Sequence, residues 1–467
     1  MKRRYLFRYV AGLVLLQLAT AVSANEALEF GRLGKVTLYR PAGPVPEQVV
    51  LLLSDDTGWT AAMAGTASQL AGSGMLVAGI DSRAFRTQLL RSEEGCTFTA
   101  GDLESFAHFL EGQQQLARYV NPAIVGTGLG ATLAYVTLVQ APAGTFTGAV
   151  SIDFRPDVAW PRPLCKGLGP GLQAARLAGD RQALQPAAQL QDPWIVLCSR
   201  GDSFCAGATG QRFIAAIPQA RAMLPANGAA GPAVAANDFA GITTAVERIA
   251  ASHAPAEGRL HASIADLPLV EIPAIGKARD RFAVMLSGDG GWAGLDRGVA
   301  AALAARGIPV VGWDSLRYFW TPRTPEGAAR DLARIVDHYA LAWNKSRVVV
   351  IGYSMGADVM PFLANRLPVE ARLRVDRMAL LGPGTEAFFE FHVGFWLGRM
   401  TGGRPIAPEL AHLSADRVLC VSGSEEPQSL CRQGAASSLR RVELPGDHHF
   451  GGAYDRLGEL LAEFAGS

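Results

Sequence analysis

The residues best suited to chemistry lie in the last third of the chain. Ser354 stands between two glycines, in the order Gly352, Tyr353, Ser354, Met355 and Gly356. Four β-branched residues precede this motif and a helix-like stretch follows it. The glycines allow a sharp turn from a buried strand into a helix, which would hold the serine hydroxyl exposed at the top of a sheet. An ordinary strand-to-helix turn gives the same letters, but the flanking runs favour a nucleophile that attacks acyl carbons.

A serine nucleophile needs a base and an acid, which follow it along the chain in the α/β-hydrolase order. Glu425 and Glu426 lie in the loop that follows a predicted strand at 417–421. We take Glu426 as the acid and Glu425 as the alternative. His448 and His449 follow the last predicted strand, from which an imidazole can reach the serine. His448 is the preferred base and His449 the alternative.

Acyl transfer also needs backbone donors for the negative oxygen of the intermediate. Met355, directly after the nucleophile, supplies one N–H group. The glycine-rich segment 287–292 supplies the second, from Gly288 or Asp289. The same segment would suit a phosphate-binding turn, but it lacks the Lys-Ser or Lys-Thr ending of a P-loop.

Five further residues are candidate substrate contacts because acidic and aromatic groups together bind cations. Aromatic residues at such spacing also occur in ordinary cores, which is the competing interpretation. The candidates are Asp314, Ser315, Tyr318, Trp320 and Asp358.

The elements that must position these residues occur twice in the chain. Residues 53–59 resemble 286–292, and residues 79–82 resemble 312–315 at the same offset. Two matches at one offset predict a duplicated fold. Shared strand and turn chemistry of two unrelated α/β domains is the alternative, which the common offset disfavours.

The first copy lacks the reactive groups. Gly128 occupies the position of Ser354, and residues 224–229, which align with the histidine loop, contain no histidine. Asp202 would be a remnant of the acid, but a carboxylate without base and nucleophile is not catalytic. The sequence therefore predicts a non-catalytic first domain.

Strands alternate with helices in both copies, which predicts mainly parallel sheets covered on both faces. The expected fold is α/β, with two tandem α/β-hydrolase-like domains of which the first is catalytically degenerate. We expect a signal peptide at 1–24, domains at 25–254 and 269–467, and a linker at 255–268. Strands of the second copy are predicted at 269–272, 282–286, 310–313, 347–351, 378–381, 417–421 and 440–444.

The N-terminus predicts export. Lys2, Arg3, Arg4 and Arg8 precede a short apolar run that ends in small residues, as in a secretory signal peptide. An uncleaved membrane anchor is the alternative. Removal of residues 1–24 leaves 39 of the 43 basic residues against 42 acidic ones, so non-specific binding of nucleic acid is not expected. We expect an exported protein.

The six cysteines suit an oxidising compartment. Cys198 and Cys205 are close in sequence, and Cys420 and Cys431 occupy the equivalent place in the second copy, which predicts two local disulfides. Cys96 and Cys165 remain as a third pair. A metal site is the alternative, but no histidine lies at ligand spacing beside these cysteines.

The motifs at 352–358, 287–292, 314–320 and 446–450 resemble the bacterial virulence protein VirJ/AcvB family. The resemblance covers roughly residues 270–464, and the two-domain length resembles the longer, AcvB-type members. It implies a periplasmic serine hydrolase that removes lysine or alanine from aminoacyl-phosphatidylglycerol at the outer face of the inner membrane. It also implies a link to type IV secretion, and no cofactor or metal. A general carboxylesterase or peptidase, and a non-catalytic periplasmic scaffold or chaperone, are the competing hypotheses.

Overall fold

The computed structural model describes most of the chain. The described residues are 26–43, 46–167, 171–188, 190–198, 204–205, 207–223, 239–253, 264–391 and 402–466. The expected signal peptide, Asp202, the segment 224–229 and most of the linker lie outside the described residues.

The first domain, residues 26–253, is built around a sheet with the strand order β1-β2-β4-β3-β5-β6-β10-β11. A small antiparallel sheet of β7, β9 and β8 lies apart from it. The strands are β1 Glu26–Phe30, β2 Gly34–Tyr39, β3 Gln48–Leu53, β4 Met75–Ile80, β5 Ala123–Thr127, β6 Gly148–Ile152, β7 Asp157–Ala159, β8 Ala174–Leu177, β9 Arg181–Leu184, β10 Trp194–Leu197 and β11 Ala220–Met223, and the helices are α1 Ala61–Gly72, α2 Ser82–Arg91, α3 Thr99–Gln113, α4 Leu129–Gln140, α5 Ala208–Ala215 and α6 Phe239–His253.

The second domain, residues 264–466, repeats this plan in a sheet with the order β12-β14-β13-β15-β16-β19-β20. Strands β17 and β18 form a separate antiparallel pair. The strands are β12 Leu269–Ile272, β13 Arg281–Leu286, β14 Val310–Trp313, β15 Arg347–Tyr353, β16 Val375–Leu381, β17 Glu386–Ala387, β18 Arg404–Pro405, β19 Val418–Gly423 and β20 Arg440–Leu444, and the helices are α7 Gly294–Ala305, α8 Ser315–Tyr318, α9 Pro325–Ala342, α10 Met355–Asn365, α11 Val369–Arg374, α12 Ala407–Leu410 and α13 Tyr454–Gly466.

Both sheets are parallel except at one edge. In the first, β2 pairs antiparallel with β1 and with β4, and in the second β12 pairs antiparallel with β14. The remaining neighbours are parallel, and most of the connections between them contain α-helices, as in α/β folds. The prediction of two tandem α/β-hydrolase-like domains with mainly parallel sheets is confirmed.

The duplication extends to side-chain packing. A Cβ on Gly79 would lie 2.2 Å from the ring of Trp59, and a Cβ on Gly312 would lie 2.5 Å from the ring of Trp292. Each tryptophan ring therefore packs directly against a strand residue that has to be glycine. Such a shared steric requirement at matching positions is what a repeated fold predicts.

The core of the second domain begins earlier than the sequence suggests. Ile264 and Leu267 are buried in the hydrophobic cluster that contains Phe282 and Val350. The end of the predicted linker at 255–268 is therefore part of the folded second domain. The pattern missed it because two isolated apolar residues in a polar stretch carry no periodicity.

The six cysteines form three disulfides in the expected pairs, Cys96–Cys165, Cys198–Cys205 and Cys420–Cys431. Within the described ranges, no helix combines the length and the apolar character needed to cross a bilayer.

The two domains contact each other directly. The indole N–H of Trp320 donates to the carbonyl of Leu116 at 2.6 Å, and its ring lies 5.3 Å from that of Tyr119. The guanidinium of Arg317 donates to Oδ1 of Asn121 at 3.2 Å. The first domain thus packs against the loops that follow β14, on the side of the sheet where ligands bind in α/β folds.

Candidate active site

Ser354 lies in the sharp turn between β15 and α10. Its φ angle is 51°, in the left-handed region that serine rarely adopts. Its backbone N–H donates to the carbonyl of Leu381 at 2.9 Å, and the N–H of Gly356 donates to the carbonyl of Ser287 at 3.1 Å. Neighbouring strands thus hold the turn from both sides, and this is the geometry of a nucleophile elbow.

The two glycines of the motif are required by packing. A Cβ on Gly352 would lie 2.3 Å from the carbonyl oxygen of Gly356, and a Cβ on Gly356 would lie 2.3 Å from that of Leu286. No side chain fits at either position without moving the backbone. The spacing of glycines around Ser354 therefore follows from how closely α10 approaches β13 and β15.

A histidine and a glutamate form a hydrogen-bonded pair beside this turn. Nδ1 of His448 donates to Oε1 of Glu426, and Oε2 of Glu426 accepts the N–H of Gly423 at 2.7 Å. Glu426 is buried, whereas Glu425 is exposed. Of the two adjacent glutamates, the structure brings only Glu426 to the imidazole.

The imidazole of His448 lies against residues on both sides of the serine. Its ring centroid is 5.2 Å from that of Tyr353. A Cβ on Gly382 would lie 2.9 Å from Cε1 of His448, and Gly382 directly follows the residue whose carbonyl accepts the Ser354 N–H. Nδ1 of His449 instead lies 3.2 Å from the hydroxyl of Tyr353. His448 is therefore the imidazole linked to the carboxylate.

The charges of the pair reinforce each other. Burial alone would lower the pKa of His448, but the hydrogen bond and negative charge of Glu426 outweigh burial and raise that pKa. Burial would likewise raise the pKa of Glu426, but the hydrogen bonds from His448 and from the Gly423 N–H, together with the positive charge of His448, leave it lowered. The carboxylate thus stabilises the protonated imidazole, as a base that accepts a proton from serine requires.

The glycine-rich loop after β13 lies next to the nucleophile. A Cβ on Gly288 would lie 3.4 Å from Cβ of Ser354. The N–H of Gly291 donates to the carbonyl of Gly288 at 3.1 Å, which closes the loop into a tight turn. Met355 is the first residue of α10, so its N–H has no partner within the helix. Both predicted sources of oxyanion donors thus adjoin Ser354.

Two carboxyl groups lie near the imidazole. Burial raises the pKa of Asp289, an effect that the positive charge of His448 opposes. Burial also raises the pKa of Asp358 to about 8, although Asp358 accepts the N–H of Gly384 at 2.7 Å. The negative charges of Asp289 and Asp358 both favour the protonated form of His448, and the role of Asp358 in substrate binding stays a prediction.

Two predicted substrate contacts were wrong. Ser315 is fully buried, and its hydroxyl donates to the carbonyl of Ser287 at 2.6 Å. Tyr318 is 1% exposed, and its hydroxyl donates to Oδ2 of Asp331 at 2.6 Å. Both hydroxyls are used to fix the loop after β14, so neither is available to a substrate.

Asp314 and Trp320 lie at the domain boundary rather than beside the serine. Asp314 caps α8 by accepting the N–H of Arg317 at 3.1 Å. Trp320 contacts the first domain through its bond to Leu116. Asp314 also lines a cavity between the two domains.

The first domain has the same turn without the hydroxyl. Gly128 has φ and ψ angles of 54° and −113°, against 51° and −120° for Ser354. A Cβ on Gly128 would lie 3.1 Å from Cβ of Asp55. This elbow therefore carries no nucleophile, and a side chain at position 128 would be in tight contact with Asp55.

Sequence reasoning missed Glu104, which reaches the second domain from α3. Its Oε1 lies 3.7 Å from where a Cβ on Gly290 would be. No local motif marks this residue, because the contact arises from the packing of the two domains. Among the described residues, no group of three or more His, Cys, Asp or Glu side chains is arranged to hold a metal ion.

Residues 280–465 match the sequence model of a family described as bacterial virulence protein (VirJ). The match contains Ser354, Glu426 and His448 and confirms the family resemblance for the second domain. A search of the curated proteins finds none that matches the chain.

Several solved structures resemble one domain's length of the chain. The esterase domain of a Rhodothermus marinus protein is 16% identical, covers 43% of this chain and 92% of its own, and has a TM-score of 0.32. Est1E from Butyrivibrio proteoclasticus is 16% identical, covers 43% of this chain and 94% of its own, and has a TM-score of 0.32. Dienelactone hydrolase from Anabaena variabilis is 17% identical, covers 43% of this chain and 92% of its own, and has a TM-score of 0.31. Because these TM-scores are below 0.5, the fold assignment rests on the strand orders given above.

Proposed function

We propose that this chain, whose second domain is of the VirJ family, is a serine hydrolase of carboxylic esters. The observation that carries the proposal is the Glu426–His448 pair beside a serine held at a φ angle of 51°. Ser354 is the nucleophile, His448 the base and Glu426 the acid. The N–H of Met355 and that of Gly288 or Asp289 donate hydrogen bonds to the oxyanion.

The mechanism follows from these positions. Oγ of Ser354 attacks the ester carbonyl while Nε2 of His448 takes its proton, and Glu426 stabilises the imidazolium. The tetrahedral oxyanion accepts hydrogen bonds from the backbone donors. His448 then returns the proton to the leaving alcohol, which departs from an acyl-enzyme. Water, deprotonated by His448, attacks the acyl-enzyme and releases the acid with regeneration of Ser354.

The substrate class that fits best is the aminoacyl ester of aminoacyl-phosphatidylglycerol, with lysine or alanine as the amino acid. Such an ester has an ammonium group beside its carbonyl, and the carboxyl groups of Asp289 and Asp358 lie beside His448. The three disulfides suit an exported protein. Hydrolysis at the outer face of the inner membrane would yield free amino acid and phosphatidylglycerol. Secretion-system partners are part of the same proposal, through the VirJ relationship.

A substrate panel tests this function. The purified chain from residue 25 is incubated with micelles of lysyl-, alanyl- or unmodified phosphatidylglycerol, and free amino acid and free fatty acid are both measured. We expect amino acid from the aminoacyl lipids and no fatty acid from any lipid. Ser438→Ala, which changes an exposed serine of the same domain, should match the wild type. Release of fatty acid would indicate a phospholipase, and no release from any lipid would favour a non-catalytic scaffold.

Replacement of the acid should shift the pH profile. Glu426 raises the pKa of His448 through its hydrogen bond and charge, so Glu426→Gln should lower that pKa. Because the base acts only when unprotonated, the acid limb of kcat/KM should move to lower pH while the plateau falls. The measurement is kcat/KM from about pH 5 to about pH 9, a range that spans the titration of histidine.

Glu425→Gln is the matched control, since it removes the same charge from an exposed neighbour. Its acid limb should coincide with that of the wild type. A shift of the acid limb in Glu425→Gln without one in Glu426→Gln would identify Glu425, and not Glu426, as the acid.

A further inference from the structure

A cavity of about 400 Å³ lies where the two domains meet. It has room for an amino acid side chain. The wall contributed by the first domain comes mainly from α3 and the segment that follows it, and the opposite wall comes from the loops after β13 and β14. Its lining includes Glu104, His108 and Tyr119 of the first domain and Gly290, Trp292 and Leu316 of the second.

The cavity does not include Ser354, but one loop connects the two. Gly288 lies against Ser354, as described above. The carboxylate of Asp289, the next residue, interacts with the charge of His448. Gly290, the residue after that, faces Oε1 of Glu104. Three consecutive residues thus lead from the nucleophile to a carboxyl group of the first domain.

The carboxyl groups of Glu104 and Asp289 influence each other across this loop. The guanidinium of Arg317, which lines the cavity, lies 3.6 Å from Asp314, and Nε of Arg297 donates to the carbonyl of Trp292 at 3.3 Å. In the part of the chain that the structure describes, no lysine or arginine forms an ion pair with Glu104 or Asp289. Burial, and then the negative charge of Asp289, raise the pKa of Glu104 to about 8. A cation from outside the protein would provide these two carboxyl groups with a positive partner.

We propose that the first domain forms one wall of the acyl-binding pocket and that Glu104 pairs with the ammonium group of the acyl portion of the substrate. The inference rests on the proposed ester hydrolase and adds to it the residue that selects cationic acyl groups. Tyr119 and Trp292 line the same cavity, and aromatic rings also attract cations. The first domain, although it lacks a nucleophile, then determines which esters react at Ser354.

The test compares two esters of nearly equal shape. The 4-nitrophenyl ester of 6-aminohexanoic acid carries an ammonium group at the far end of its acyl chain at neutral pH, and 4-nitrophenyl heptanoate has a methyl group in its place. We expect Glu104→Gln to lower the ratio of kcat/KM for the cationic ester to that for the neutral ester by about tenfold. The effect is limited because a carboxyl group with a raised pKa must lose its proton when the cation binds. The fall should appear mainly in KM of the cationic ester.

Two further variants make the result specific. Glu104→Asp keeps the charge and should retain more of the preference than Glu104→Gln. Glu93→Gln removes the same charge from an exposed position of the first domain and should keep the wild-type ratio. Thermal unfolding of each variant shows whether the fold is retained.

The outcomes separate this inference from the proposed function. If hydrolysis depends on Ser354 but the ratio in Glu104→Gln equals that of the wild type, the role of Glu104 is refuted and the hydrolase remains. If Ser354→Ala hydrolyses both esters as fast as the wild type, the proposed function fails. A lowered ratio in Glu93→Gln of the same size would attribute the effect to overall charge and also overturn the inference.

Discussion

The Ser354→Ala variant is expected to release amino acid from aminoacyl-phosphatidylglycerol about four to six powers of ten more slowly than the wild type. The variant retains the imidazole, the carboxylate and the oxyanion donors but has no oxygen to attack the carbonyl. Loss of the nucleophile in serine hydrolases has effects of this size, and the residual rate reflects binding and the oxyanion site. The measurement is initial rate at high protein concentration, with spontaneous hydrolysis subtracted.

Alanine suits this position because it has the same backbone strain as serine at a φ angle of 51°. Thermal unfolding of Ser354→Ala should therefore be close to that of the wild type, which rules out misfolding as the cause of inactivity. A fluorophosphonate probe should add mass to the wild type and not to the variant. Equal release of amino acid by the two proteins would refute the mechanism.

The second large effect is expected at the histidine pair. His448→Ala should lower kcat/KM about three to five powers of ten, since it removes both the base and the proton donor for the leaving alcohol. His449→Ala should lower it less than about tenfold, because the ring of His449 meets the hydroxyl of Tyr353 rather than a carboxylate. The two variants are compared by steady-state kinetics with the 4-nitrophenyl ester of alanine as substrate.

The contrast between the neighbours is what decides the assignment. Equal losses in His448→Ala and His449→Ala would mean that the loop works as a unit and that the Glu426 contact does not identify the base. A greater loss in His449→Ala would transfer the role of base to that residue. Thermal unfolding again serves as the check on folding.

Most strands of the second sheet were predictable because they are short apolar runs between turn-forming residues, and the edge strand β20 shows an alternation of polar and apolar residues in its second half. The predicted segments 269–272, 310–313 and 440–444 coincide with β12, β14 and β20. Segment 347–351 extends to Tyr353 in β15, because hydrogen bonding to β16 continues into the turn. Strand ends depend on such neighbours, which a single sequence does not specify.

Elements that contribute little to a core were not predicted. Strands β7, β8 and β9 form a small sheet, and β8 is exposed along its whole length. Strands β17 and β18 have two residues each. Such segments lack the alternation of apolar and polar residues on which strand prediction depends. Their pairing comes from local hydrogen bonds between loops.

The site was predictable where chain order and residue type decide it, and not where orientation does. The motif at Ser354 and the order of acid and histidine could be taken from the sequence. The choice of Glu426 over Glu425 required the direction of each side chain at the end of β19. Ser315 was misassigned because a polar residue in a promising loop is as able to bond to backbone as to a substrate. Glu104 lies on another domain, and no spacing rule connects it to Gly290.

The matching elbows of the two domains differ in backbone strain. Gly128 and Ser354 share nearly the same backbone angles, so the packing of the flanking glycines shapes this corner and the hydroxyl does not. A positive φ angle costs serine about 1 kcal/mol of conformational energy and costs glycine almost nothing. The turn at Gly128 is thus the less strained of the two, while the turn at position 354 stays strained as long as its residue carries a Cβ atom, which the nucleophile requires.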